Sequence, residues 1–122
     1  MSVAVRIERL RWGLSLTATL DGRTVGQARA TRIADGSAVG VDGPVWRISV
    51  GVGVEHRGRG VGIELFAAAV LSADGPIVRG DLLRAAGLAS AGTTPDGDRL
   101  WASRRLASRV RIENGRAYAG AR

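Results

Sequence analysis

The chain opens with two stretches in which apolar and polar positions alternate. In SVAVRIERL, residues 2–10, Val3, Val5, Ile7 and Leu10 mark an apolar face with Arg6 and Glu8 opposite. This is the period of a half-buried strand. GLSLTATL, residues 13–20, alternates again through Leu14, Leu16, Ala18 and Leu20, and Asp21-Gly22 then predicts a hairpin turn into a partner strand over residues 24–33. Ala34 to Pro44 is rich in glycine and proline and reads as a loop. The most apolar strand follows, VWRISVGVGV, residues 45–54. It has Trp46, Ile48, Val50, Val52 and Val54 on one face and Val45, Arg47, Ser49, Gly51 and Gly53 on the other. Two glycines on one face of a central strand suggest a bulge, a close ligand approach or a packing accommodation.

Beyond a glycine-rich turn, IELFAAAVLSA reads as a helix with Leu65, Phe66, Ala69 and Val70 as its apolar stripe, ended by Asp74-Gly75. Residues 77–79 suit a short strand and residues 81–91 a short helix. Thr94-Pro95 marks a helix start, with Thr as cap and Pro in the first turn, and the pattern carries that helix to about residue 107. RVRIENGRAY closes the chain as a second hairpin around Asn114-Gly115. Neither a repeat nor a linker interrupts this order. The expected architecture is α/β with a mixed, α+β-type sheet, formed as one domain over residues 1–122.

Composition narrows the chemistry. The chain has 122 residues with 45% hydrophobic and 24% charged, which is a globular balance. Aromatics are few, so Val, Leu, Ile and Ala must supply most of the core. There is no cysteine, hence no disulfide framework, no cysteine zinc site and no cysteine nucleophile. One histidine, His56, excludes a paired-histidine metal site, and no metal is expected. All 18 basic residues are arginine, so neither a Walker A loop nor Schiff-base chemistry is available. The arginine bias reads as the codon usage of a GC-rich genome, which also accounts for the abundant Ala and Gly, or as selection against lysine. The net charge of +7 favours an anionic partner, nucleic acid or a phosphorylated ligand, but the arginines are scattered as on a solvated surface. The opening MSVAVRIERLRW mixes charge into its apolar residues and reads as neither signal peptide nor membrane span. A cytoplasmic protein without membrane contact is the expectation.

The segment that carries chemistry is VGVGVEHRGRGVGIELF, residues 50–66. A strand runs into a turn bearing Gly58, Gly60 and Gly62, and the turn opens a helix. Glycines let backbone N–H groups converge on one concavity, and the helix start adds partial positive charge, which together seat a phosphate or pyrophosphate. Arg57 and Arg59 flank the turn and can add charge-assisted hydrogen bonds. The dinucleotide spacing Gly-x-Gly-x-x-Gly is not met, because the third glycine would fall at His56 or Ile63. The spacing that fits is Arg-x-x-Gly-x-Gly at Arg57, Gly60 and Gly62.

Written as HRGRGVG between an apolar strand and an Ala/Leu helix, this segment resembles the acetyl-CoA-binding motif of the GNAT N-acetyltransferase superfamily, most strongly over residues 45–72. The resemblance implies a GNAT-like fold and the transfer of acetyl from acetyl-CoA to an amine acceptor. It implies that the amides of Arg57, Gly58, Arg59, Gly60, Val61 and Gly62 hold the pyrophosphate. It also implies that Val50, Gly51 and Val52, on a strand bulged and splayed from its neighbour, hold the pantetheine arm. Two departures stand out. The family places helices after its first strand, where this chain has only Arg11 to Gly13. The acceptor side should therefore be open or completed by a second chain in a homodimer or larger assembly. The family also often carries a Leu-Tyr whose phenol protonates the departing thiolate. The local match is Leu100-Trp101, and an indole N–H only donates a hydrogen bond.

Glu55 and His56 are the candidate bases beside the pocket, and Trp101 stands either in the acid's place or as a core anchor. Tyr118, the one tyrosine, suits packing in the terminal hairpin. Arg104, Arg105, Arg109 and Arg111 read as a solvated face or as contacts to the 3′-phosphate of CoA or to an acidic partner. Two other functions stay open. One is a GNAT-fold module with reduced or lost catalysis. The other is a basic nucleic-acid-binding domain, disfavoured because no aromatic residues line a basic groove.

Overall fold

A computed structural model of the chain describes residues 2–90, 92 and 94–119. The elements in chain order are β1 (Ala4–Leu10), β2 (Gly13–Leu20), β3 (Arg23–Ile33), β4 (Val45–Val52), α1 (Val61–Ser72), β5 (Ile77–Val78), α2 (Gly80–Ala85), α3 (Pro95–Trp101), α4 (Arg104–Ala107), β6 (Arg111–Glu113) and β7 (Arg116–Tyr118). The strands form one mixed sheet of seven in the order β1-β2-β3-β4-β5-β7-β6. All neighbours are antiparallel except β4 and β5, which run parallel. The architecture is thus mixed α/β. No helix among the described residues is long and apolar enough to cross a membrane.

Local chemistry sets the turns. Asp21 (φ 51°) and Gly22 (φ 77°) are both left-handed, as are Asn114 (φ 52°) and Gly115 (φ 73°). Two consecutive positive φ values give the tight turn whose twist matches paired antiparallel strands. Thr94 caps α3 by accepting the Gly97 N–H at its Oγ1, 3.0 Å, with Pro95 in the first turn.

The core lies between one face of the sheet and α1. Leu14, Leu16 and Ala18 of β2, Ala28 and Ala30 of β3 and Trp46 of β4 meet Leu65, Phe66, Ala69 and Val70 of α1. β3 offers small residues because the helix lies close. A Cβ on Gly26 would stand 2.9 Å from Val61 Cγ1 and 3.2 Å from Leu65 Cδ1. The opposite face is polar at Ser15, Thr17, Gln27, Arg29 and Ser49. Only its β4–β5 end is apolar: Val45, Val78 and Leu83 of α2 form a small second core there, joined by Ile33, Val39 and Val41.

The structure departs from the sequence pattern in five places. In β1, Ile7 and Leu10 stay 37% and 38% exposed, because the strand is the sheet edge, where α1 covers only part of it. By alternation Leu10 also sits on the face opposite Ile7. The expected strand 45–54 ends at Val52, and Val54 enters a short 3-10 turn, 79% exposed. The register of β4 on β3 runs unbroken from Ile33↔Val45 to Gly26↔Val52, so the glycines of β4 make no bulge against β3. The sheet's irregularity lies at Ala18/Thr19 instead. The helix expected over residues 81–91 is confined to Gly80–Ala85, with residue 91 outside the described residues. The helix expected from residue 94 to 107 breaks at Ser103, whose ψ of 129° is extended. Trp101 and Leu106 are both buried, and their spacing of five does not fit one face of a continuous helix. The break lets both reach the core.

Asp74, just beyond α1, ties that helix to the sheet. It accepts from Trp46 Nε1 at 2.8 Å and pairs with Arg32 at 2.9 Å. The hydrogen bond from Arg32 is the main reason its carboxyl titrates below the usual range, with the Trp46 bond adding to it and partial burial opposing. A depressed folded pKa stabilises above the unfolded carboxylate pKa and is lost as pH falls through the folded one. Asp74→Asn should therefore be less stable than wild type at neutral pH, and the two should converge below the ordinary carboxylate range in urea titrations across pH. Gly26→Val should cost roughly 1–3 kcal/mol by the same method, because Val61, Leu65 and the Gly51 carbonyl, 3.1 Å from the new Cβ, leave it no room.

Candidate functional site

β4 and β5 meet at one register point, Trp46↔Ile77, where Trp46 N–H donates to the Pro76 carbonyl at 2.9 Å. β5 also pairs with β7 through Ile77 and Val78, and past Trp46 β4 runs on to Val52 with β3 as its one partner. The strands part and leave a cleft of about 560 Å³. It is lined along β4 by residues 47–52, on the helix side by Val61, Gly62 and Phe66, and across from β4 by Val78, Gly80 and residues of α3 and α4.

The backbone of β4 presents polar groups to this space. Antiparallel pairing alternates, so residues whose N–H and C=O face β3 alternate with residues facing away. Gly53 N–H bonds Val25 on the β3 side, and Trp46 N–H bonds Pro76 on the other. The main-chain groups of Ile48, Val50 and Val52 therefore face the cleft.

At the far end of the cleft sits the glycine turn. Gly58 (φ 81°) and Gly60 (φ 82°) are left-handed, and Gly60 caps α1 without a side-chain acceptor. The first hydrogen bond of α1 runs from Glu64 N–H to the Gly60 carbonyl, 3.0 Å. Among the described residues no protein acceptor meets the N–H groups of Val61, Gly62 or Ile63. These are the orphan donors of a helix start, with its partial positive charge behind them. The nearest side chain is a cation: a Cβ on Gly60 would lie 2.5 Å from Arg105 Nη2, so the guanidinium rests against the turn from α4.

Charge around the cleft is mostly positive. Arg47, Arg57, Arg99 and Arg105 line it, against one carboxylate, Asp96. Asp96 is shared: it stands 3.4 Å from Arg57 and 3.0 Å from Arg99, tying the glycine turn to α3. Arg105 and Arg47 carry no ion pair or hydrogen bond at the guanidinium among the described residues.

Of the residues singled out in the sequence, Val50, Gly51, Val52, His56, Arg57, Gly58, Gly60, Val61, Gly62 and Trp101 line the cleft together. Glu55 and Arg59 lie outside its lining; the Glu55 side chain is 83% exposed. His56 turns inward with Nδ1 buried and without a partner, while its Nε2 lies 3.5 Å from Glu55 Oε1. Trp101 is 8% exposed and packs edge-on against Phe66, ring centroids 4.9 Å apart. Its ring is a wall of the core as much as of the cleft. Tyr118 is engaged elsewhere, under the Arg111 guanidinium at 4.3 Å. The late arginines do not act as one patch: Arg109 pairs with Glu64, Arg111 with Glu113, and only Arg105 reaches the turn. Sequence reasoning missed Arg47, Asp96 and Arg99 as lining residues. Strand alternation set Arg47 on a face, but nothing in the chain signalled that the neighbouring strand would leave it.

Compared with protein families, with curated proteins and with solved structures, the chain finds no match.

Left-handed backbone costs an L-residue roughly 1–2 kcal/mol, so Gly58→Ala and Gly60→Ala should each lose about that much stability in urea titrations. Only Gly60→Ala also pushes Arg105 off the turn, since a Cβ on Gly58 meets nothing within 4 Å. The arginine side-chain NMR signal of Arg105 should move in the Gly60 variant and stay in place in the Gly58 variant.

Proposed function

We propose that the protein is a coenzyme A-dependent N-acyltransferase of the GNAT kind, binding acetyl-CoA or a related acyl thioester and passing its acyl group to an amine. One observation carries this reading. A cleft between parting parallel strands has free main-chain groups along one wall and uncapped helix N–H groups at its end. Those N–H groups, with Arg105 beside them, suit a pyrophosphate. The free edge at Ile48, Val50 and Val52 suits a chain of amides, which can pair with it as an added strand would. The order of strands and helices, with a terminal hairpin, supports the same assignment, as does the spacing Arg57, Gly60, Gly62.

Held so, the thioester carbonyl lies along β4 and is open to an amine arriving from the polar, uncovered face of the sheet. Attack needs the amine to lose a proton. His56 stands at the glycine-turn end, where its Cδ2 lies 3.3 Å from a Cβ on Gly53 and its Nδ1 is buried, so at the thioester end of β4 water is the group suited to accept it. The departing thiolate finds no phenol. Trp101 occupies that wall, and its indole cannot supply an acid proton.

The lack of an acid favours a second reading, a CoA-binding module with reduced turnover. Among the described residues the cleft lining carries one imidazole, His56, and one carboxylate, Asp96, which two arginines hold. Release of free thiol from acetyl-CoA over an amine panel separates enzyme from module.

Calorimetry should show CoA binding to wild type. Gly60→Asp should abolish it, because the new carboxylate faces the same donors. Arg105→Ala should weaken it by roughly tenfold, the worth of one charge-assisted hydrogen bond. Absence of both heat and thermal shift at millimolar CoA would remove the proposal.

A further inference from the structure

Arg47 is the first residue of β4 past the point where the cleft closes, Trp46↔Ile77. It is half-buried and lines the cleft beside Val78 and Gly80. Its neighbours on the strand face are Val45, Ser49 and, across the ladder, Thr31, none of which is an anion. Among the described residues nothing pairs with its guanidinium, whereas Arg57 and Arg99 share Asp96 and Arg105 lies at the opposite end. The Arg47 guanidinium is thus free to take an anionic acceptor that enters the cleft.

Position says which acceptor. From Val52, beside the start of α1, to Arg47 the strand advances roughly 17 Å. A thioester with its phosphates at α1 and its amide arm along β4 directs its acyl group toward Arg47. An acetyl methyl offers this residue nothing. An acyl group that ends in a carboxylate meets it with paired, charge-assisted hydrogen bonds. Resting on the reading of the cleft as a CoA-thioester site, we propose that the preferred donor is the CoA thioester of a dicarboxylic acid, of malonyl to glutaryl length, and that Arg47 selects it. In the transfer, the acceptor nitrogen bonds the thioester carbon, the C–S bond breaks and its electron pair leaves on sulfur. The nitrogen's proton passes to water, the thiolate leaves as free CoA, and the distal carboxylate goes unchanged into the product amide.

Calorimetry with CoA, acetyl-CoA and malonyl-, succinyl- and glutaryl-CoA tests this on the full chain. At least one of the three acidic thioesters should bind wild type at least tenfold tighter than acetyl-CoA, the worth of a charge-assisted pair. In Arg47→Gln that ratio should fall to about twofold or less, while Arg47→Lys, which keeps the charge but not the paired geometry, should fall between wild type and Arg47→Gln. Thermal melts of each variant establish that the fold is intact. CoA binding with no preference among the thioesters would overturn this inference and leave the site assignment standing; it is also the result expected if Arg47 instead holds a carboxylate of the acceptor. A preference that survives in Arg47→Gln would overturn Arg47's role. No binding of CoA at all would overturn the site and this inference together.

Discussion

Everything proposed for this protein depends on a parallel pairing that is allowed to fail. β4 and β5 are joined at Trp46↔Ile77 and nowhere further along. The joint is held on two sides: Trp46 N–H bonds the Pro76 carbonyl, and its indole N–H bonds Asp74, which Arg32 holds from the other side. β5 has only two residues and commits both to β7. With no partner left on that side, β4 continues, paired only with β3, and turns a bare edge into the molecule. An unpaired edge normally invites association with another strand. Here it is walled by α1, α3 and α4, and the ligand proposed for it is a narrow chain of amides.

The helix arrangement follows from the same geometry. α1 crosses β2, β3 and β4 closely enough that Gly26 and the alanines of β3 are needed beneath it. Its start is therefore set at the mouth of the cleft, with Gly62 near the side chains of Val50 and Val52. α3 and α4 break at Ser103 so that Trp101 meets Phe66 and Leu106 also reaches the core. The same break brings Arg105 back against Gly60. Burial of two apolar side chains thus delivers a cation to the glycine turn.

Much of this was legible in the sequence. Period-two alternation marked β2 to β4. Asp21-Gly22 and Asn114-Gly115 marked the two hairpins, and Thr94-Pro95 marked the start of α3. The glycine turn was legible because glycine accepts the left-handed backbone found at Gly58 and Gly60 at no steric cost. What stayed hidden is non-local. Alternation cannot tell that β1 is the sheet edge, where Ile7 stays exposed. Arg57 and Asp96 are distant in sequence and meet only because α3 folds over the turn. The break at Ser103 reflects where Leu106 must go, and helix propensity does not carry that information. Arg47 read as one more surface arginine because the departure of β5 from its neighbour is a property of pairing, not of any residue in β4.

The central claim is that the bare edge of β4 and the uncapped start of α1 hold one ligand together. Backbone amide NMR during a CoA titration tests it most directly. The account predicts that the amides of Ile48, Val50 and Val52 shift with the same saturation curve as those of Val61 and Gly62, while β1 and β6 stay unmoved. Shifts confined to the exposed arginine-bearing face, or shifts at α1 without any along β4, would contradict it.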